Sequence, residues 1–399
     1  MTVRDRAFRL LFSAQAISLF GDGMISVALA FAVLEVDGSA SAVGLVFALR
    51  TAPMVAALLV GGVVADRTSR RAVMVSADLA RVASQGTMAV LLLAGAAEVW
   101  SLALLAGVTG VATGFYMPAA TGLLPAVVGP DELQRANGAR FTAMAGGEIL
   151  GPLAAGALVV AASPGWAIGI DAATFAVSAA LLSRLRLSAE PPVERTTFLG
   201  DLGAGWREFR ARTWVWVVAL ASAAENAFWG AWSALGPVVA DRELGGAAAW
   251  GTVLAAMGAG GVAGGLVAMR WRPGRPAVAF ALSGVVFAVP LALVAVPAPV
   301  AVVAAGAFVG GVALMFGNAL WESTLQSHIP REALSRVSSY EWFGSNAVRP
   351  LGLALWGPVA VAIGLGSALW LAAALFAATS LSLLAVPSVR GLRTAQATT

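Results

Sequence analysis

The stretch Gly61-Gly62-Val63-Val64-Ala65-Asp66-Arg67-Thr68-Ser69-Arg70-Arg71 decides how the chain is read. A long apolar run ends there in a glycine pair and a carboxylate, three arginines follow, and a second apolar run begins. Apolar runs of about 20 residues are the length of membrane helices, so the stretch predicts a tight hairpin between two of them. The glycines permit close packing, and arginines hold such a loop on the cytoplasmic side. Asp66 has cationic partners and a helix end within reach.

Composition extends that reading to the whole molecule. Mean hydropathy is +0.84 and only 12% of residues are charged, against roughly 25% in a soluble domain. With 59% hydrophobic residues over 399 positions, the chain has room for about a dozen spans. The predicted fold class is therefore an all-α polytopic membrane protein. A net charge of +4 and a pI near 10.7 fit arginine-rich cytoplasmic loops and do not point to nucleic acid.

Missing residue types exclude several chemistries. The chain has no cysteine, hence no disulfide, thiolate metal site, iron–sulfur cluster or lipidated cysteine. Every basic residue is arginine, so a Walker A lysine and lysine Schiff-base chemistry are excluded too. The single histidine, His328, cannot form a two-histidine metal site. No cofactor and no metal are expected. The first apolar run resembles a signal peptide, but Asp22 interrupts it and hydrophobicity continues to about Val36, which favours an uncleaved first span.

Twelve spans are predicted, at 9–35, 41–64, 72–95, 99–127, 138–162, 166–183, 214–239, 247–269, 277–297, 300–326, 337–362 and 366–387. With both termini cytoplasmic, the outer loops hold only Arg242, and Arg50, Arg81 and Arg349 fall inside spans. All other arginines lie in or beside cytoplasmic segments, a bias that fixes orientation. The predicted organisation is an N-terminal six-helix bundle over 1–183, a linker over 184–213, a second bundle over 214–387 and a tail over 388–399. In the linker, Phe198 to Arg212 reads as amphipathic, with Leu202, Trp206 and Phe209 opposite Arg207, Arg210 and Arg212. It is either a helix on the membrane surface or a solvated connector.

The two halves repeat each other. Gly264-Gly265-Leu266-Val267-Ala268-Met269-Arg270 copies Gly61 to Arg67, with Met269 where the first copy has Asp66. The same register places Asp22 on Glu225, and Pro130-Asp131-Glu132-Leu133 has an echo in Pro330-Arg331-Glu332-Ala333.

These features resemble the major facilitator superfamily, drug-efflux branch, along essentially the whole chain. Gly62, Asp66, Arg67, Arg70 and Arg71 are similar to its motif A, with Ser69 where the family usually has glycine, a change expected to stiffen the turn. In the family that motif is implicated in holding the inner gate shut. The bland alternative is a loop that only sets topology. Gly138, Gly147, Gly151, Pro152 and Gly156 resemble motif C of the antiporters, with Ala155 in place of one glycine. Small residues let helices approach closely and proline bends them. Arg9 to Phe12, Gly21-Asp22-Gly23, Asp131 to Asn137 and Arg336 to Ser339 look like a bacterial group that includes the enterobactin exporter and macrolide-efflux proteins. The resemblance implies two pseudo-symmetric bundles working by alternating access, as a monomer, in the bacterial cytoplasmic (inner) membrane.

Ionisable residues inside spans cost at least about 2.5 kcal/mol on insertion scales and are functional candidates by default. Asp22, Glu148 and Glu225 lie centrally in spans 1, 5 and 7, none with an arginine within a turn of its own helix. A carboxylate withdrawn from water suits a group that takes and releases protons. Arg50, Glu322 and Arg349 complete the proton or substrate candidates, and Arg50 or Arg349 could instead neutralise a carboxylate. Asp78 and Arg81 are spaced to pair on one helix face. Glu341 reads as interfacial or a cap, and Asp171 as a local hydrogen-bonding residue. Phe228, Trp229, Trp232, Phe316, Trp342 and Phe343 are candidate cavity aromatics.

The leading functional expectation is a proton-coupled antiporter that exports small amphipathic molecules. An exporter of an anionic metabolite such as a siderophore, bound by Arg50 and Arg349, is the second reading. An integral membrane enzyme is disfavoured, because no nucleophile–base set or diphosphate motif is visible.

Overall fold

A computed structural model describes residues 6–128, 132–185, 206–296 and 298–393. Some side chains within these ranges lie outside the description, among them those of Asp66 and Arg67. Fourteen helices carry the fold. In chain order they are α1 (Arg6–Val36), α2 (Ala40–Arg67), α3 (Arg70–Leu93), α4 (Val99–Val127), α5 (Leu133–Ala161), α6 (Pro164–Ser183) and α7 (Thr213–Val239). They continue as α8 (Ala247–Arg270), α9 (Pro276–Phe287), α10 (Val289–Val294), α11 (Val300–His328), α12 (Arg331–Asn346), α13 (Arg349–Ile363) and α14 (Leu365–Ser382). Among the described residues there is no strand, and ten segments are long and apolar enough to cross a membrane.

Two expected spans are each two helices. The run 277–297 breaks at Ala288 between α9 and α10, and 337–362 breaks at Ala347-Val348 between α12 and α13. Pro290 and Pro350 stand in the first turn of the second helix each time. Proline has no N–H for the preceding turn and clashes with its carbonyl, so the helix restarts there.

The opening hairpin is tighter than its sequence suggested. Only Thr68 and Ser69 separate α2 from α3. Thr68 closes α2 by donating its N–H to the Val64 carbonyl, and Ser69 opens α3 by accepting from Ala72 N. Ser69 has φ −69°, which any residue adopts, so glycine is not needed there. Serine caps the helix instead of stiffening the turn. Gly61 serves a different neighbour: its Cβ would lie 2.7 Å from the Gly114 carbonyl oxygen of α4. Close packing therefore joins α2 to α4, not to its hairpin mate α3.

The chain divides into two compact units, Met1–Val193 with Gly236–Ala255, and Glu194–Leu235 with Ala256–Thr399. Within the first, α1 packs on α5 and α6, α2 on α4, and α3 on α4 and α6. Within the second, α9 packs on α11 and α14, while α7 meets α13 where a Cβ on Gly230 would lie 2.6 Å from the Gly352 carbonyl carbon. Without a hydrophobic force between helices in lipid, such backbone contacts are what hold them. Most of 198–212 lies outside the described residues. From Trp206 onward the chain is helical, Phe209 is buried, and both rings pack on Tyr340.

Candidate functional site

The motif A arginines fasten the first unit to itself. Arg70 donates from Nη1 to the Gly122 carbonyl near the end of α4, 2.9 Å. Arg71 donates from Nε to the Leu182 carbonyl, 3.0 Å, and from Nη2 to the Ser183 carbonyl. These are the last carbonyls of α6, at the negative end of its dipole, and that of Leu182 also accepts the Leu185 N–H at 3.0 Å. The side chains of Asp66 and Arg67 and the packing of Gly62 lie outside the described residues.

Four of the five motif C positions in α5 are contact points, and one is not. A Cβ on Gly147 would lie 2.6 Å from the Leu19 carbonyl oxygen, and one on Gly151 2.6 Å from the Gly23 carbonyl carbon. Farther along, Gly156 meets Ala247, and the Pro152 carbonyl meets Gly251. Gly138 has nothing within 4 Å of its Cβ direction. The motif thus seats α5 on α1 at backbone distance on either side of Asp22.

Asp22 is not the lone carboxylate its own helix suggested. Its carboxylate lies 3.7 Å from Arg50 of α2 and 4.0 Å from Arg81 of α3. Arg81 is 1% exposed, sits over the rings of Tyr116 and Phe175 at 4.4 and 4.8 Å, and lies 3.5 Å from Asp78. Ser178 of α6 donates to Asp78 at 2.7 Å, and Gln85 of α3 donates to Asp171 of α6 at 3.0 Å. The first unit therefore holds a polar core drawn from α1, α2, α3, α4 and α6. Asp78 and Arg81 do pair, but Arg81 also reaches Asp22. Asp171, read from the sequence as a local hydrogen-bonding residue, is buried inside the unit and accepts from Gln85. A stripe in α3 could have announced this: Asp78, Arg81 and Gln85 recur at one face of an otherwise apolar helix. Glu148 differs from expectation in the opposite sense, since its side chain is exposed along α5.

In the second unit Glu225 occupies the position that repeats Asp22, with a different setting. It is 9% exposed, and its partner is the Ser380 hydroxyl of α14, which donates to it. No arginine lies within ion-pair distance of it among the described residues. One turn farther along α7, Trp229 stacks on Phe287 at 4.2 Å and on Trp232 at 5.1 Å, and Phe287 meets Phe376 at 5.5 Å. Phe228 meets Trp356 at 6.5 Å. Of the six cavity aromatics expected, Phe228, Trp229 and Trp232 come together around the α9–α10 break. Phe316 instead stacks on Trp271, and Trp342 and Phe343 are exposed. Glu322 is exposed and Arg349 is half-buried at the α12–α13 break. Glu341 is buried rather than interfacial, accepting from Trp321 Nε1 at 3.1 Å and from Ser345 at 3.1 Å.

Residues 11–353 match the sequence profile of the Major Facilitator Superfamily. The chain belongs to that superfamily. Membership makes it a membrane transporter rather than an enzyme. It is 33% identical over 220 residues to the enterobactin exporter EntS of Escherichia coli O1:K1 / APEC, and equally to that of Shigella boydii serotype 18. Each alignment covers 54% of this chain and 51% of the relative, so the chain spans about half the length of the curated relatives it matches. Its fold is that of the nucleoside transporter NupG, with a TM-score of 0.75 at 14% identity over 96% of this chain and 98% of that one. A bacterial homolog to the human lysosomal transporter Spinster superposes with a TM-score of 0.69 at 16% identity, over 97% and 96% of the two chains.

Proposed function

We propose that the protein is a proton-coupled exporter of small amphipathic molecules from the bacterial cytoplasm, with Glu225 as the carboxylate that exchanges protons against substrate. The observation that carries this reading is the placing of Glu225: buried, held by one serine hydroxyl, with no arginine in ion-pair range among the described residues, and one turn from the Trp229–Phe287–Phe376 cluster. An ionised carboxylate there has no countercharge, so either a proton or a cationic group of the substrate completes the site. The two would exclude each other, which is what antiport requires. Aromatic walls beside a carboxylate suit a bulky, lipophilic, cationic molecule. Asp22 fits the role less well, because Arg50 and Arg81 already supply its positive charge.

A second reading is favoured by one observation, the 33% identity with enterobactin exporters: the substrate is then a siderophore-like acid recognised by arginine. Against it, Arg50 already faces Asp22.

Everted membrane vesicles test the choice. A fluorescent lipophilic cation and enterobactin are supplied side by side, with and without a protonophore. The proposal expects cation accumulation that the protonophore abolishes and Glu225→Gln eliminates. Accumulation of enterobactin alone, lost in Arg50→Gln and kept in Glu225→Gln, would establish the second reading instead.

A further inference from the structure

The polar core of the first unit contains a pair of side chains whose hydrogen bonding does not close. Gln85 is 2% exposed and Asp171 1%. The amide Nε2 donates to Asp171 Oδ2 at 3.0 Å, yet Gln85 Oε1 and Asp171 Oδ1 receive no hydrogen bond, because the Thr174 hydroxyl beside Oδ1 is given to the Asp171 backbone carbonyl at 2.7 Å. Both orphans are oxygens, so neither can serve the other while the carboxyl is ionised. Exchanging the two ends of the amide does not help, because an oxygen 3.0 Å from Oδ2 would itself require a proton between them. A buried polar atom without a partner forfeits its hydration with nothing in return, and here two occur on adjoining groups.

The charges around the pair do not close either. Asp171 faces Asp22 of α1, Arg50 of α2 and Arg81 of α3. Arg81 also pairs with Asp78. Tyr116 of α4 lies under Arg81, and Glu148 of α5 has an exposed side chain. Three carboxylates thus share two guanidinium groups, which leaves one negative charge. Arg50 and Arg81 lie within ion-pair distance of Asp22, and Arg81 of Asp78, but among the described residues no arginine is within 4.0 Å of Asp171. Its Oδ1 is instead pressed against α1 at Gly21, where a Cβ would strike it.

We propose that Asp171 and Gln85 form a proton-binding site, in which the Asp171 carboxyl carries a proton on Oδ1 and donates it to Gln85 Oε1. Together with the existing bond from Nε2 to Oδ2, this closes the two-bond ring of a carboxylic acid against a carboxamide. One O–H bond forms when the proton arrives from water. When it breaks, the proton returns to water and the core regains its single negative charge. One proton supplies the missing donor for both orphaned oxygens and balances the charge count. As a coupling site the pair rests on the proton-driven reading above, but its protonation does not.

Infrared spectroscopy of the purified full chain in lipid at neutral pH tests the site without a substrate. The expected spectrum contains the carbonyl band of a protonated carboxylic acid that Asp171→Asn removes. Asp171→Asn is nearly isosteric and keeps a closed ring with Gln85, so it is expected to unfold at the wild-type temperature. Gln85→Leu should move the same band to higher frequency by removing its hydrogen bonds, and Glu225→Gln should leave it in place. A wild-type spectrum without a band assignable to Asp171 would overturn the proposal, as would a band indifferent to Gln85→Leu. Should Asp171→Asn fail to fold, Gln85→Leu and Gln85→Asn decide by the same shift. Loss of proton coupling in the vesicle assay with the band intact would sink the transport reading and leave the site standing.

Discussion

Replacing Gly151 by alanine asks whether α1 and α5 cross at backbone contact. A methyl group at Gly151 would lie 2.6 Å from the carbonyl carbon of Gly23 and 2.7 Å from its Cα, where ordinary contact is 3.4–4 Å. The obstacle is backbone, so no side chain can swing aside. The two helices must separate by roughly 1 Å, an overpacking that costs about 1–3 kcal/mol. Alanine recovers up to about 1 kcal/mol of helix propensity over glycine, leaving a net loss of up to roughly 2 kcal/mol. Gly138, on the same helix, has nothing within 4 Å, so alanine there keeps the propensity gain and meets no clash. With about 2–4 °C of melting temperature per kcal/mol for a unit of this size, the two variants should differ by roughly 5–10 °C, Gly151→Ala melting lower. Intrinsic tryptophan fluorescence during heating of the purified protein reads this directly. Gly151→Ala as stable as Gly138→Ala would refute the packing account of the glycine motif. Because Asp22 adjoins Gly23 and lies 3.7 Å from Arg50, the destabilised variant should also lose transport.

Other expectations follow from the same geometry. Arg71→Ala removes the side-chain donors to the Leu182 and Ser183 carbonyls, of which Leu182 keeps the Leu185 N–H, and should cost about 1–3 kcal/mol, measured by denaturation, with Arg71→Lys recovering part of the loss. Asp78→Ala leaves Arg81 buried with one distant carboxylate at 4.0 Å, and breaking a buried pair this way costs about 3–5 kcal/mol; poor expression or a strongly lowered melting temperature is the expected result. Asp66→Asn should impair transport while membrane insertion stays normal, since Met269 shows that the second copy of the loop is built without the carboxylate. Normal transport by that variant would leave the loop with a topological role only.

Much of the fold was legible because membrane spans announce themselves. Among the described residues each predicted apolar run is mainly helical, and the two breaks, at Ala288 and at Ala347-Val348, come just before Pro290 and Pro350, where a proline in an apolar run is the signal. The hairpin at Thr68-Ser69 was legible as a turn, but its serine was misjudged, because a helix cap and a strained turn look alike in one dimension. The site was harder to read. Whether Asp22 stands alone or faces Arg50 and Arg81 depends on which helices are neighbours, and a hydrophobic period does not say so. The spacing of Asp78, Arg81 and Gln85 held the clue to a polar face on α3. Glu148 is exposed along α5, a facing that a central position along a helix does not reveal. The aromatics divided likewise, with Trp229 and Trp232 turned inward and Trp342 turned out.

The account stands most directly on whether protons move against substrate. Purified protein in liposomes loaded with a pH-sensitive dye, given an outward or inward gradient of a lipophilic cation, measures it. Proton movement opposite to the cation is predicted, in wild type and not in Glu225→Gln. Cation flux with no change in internal pH would contradict the proton-coupled account.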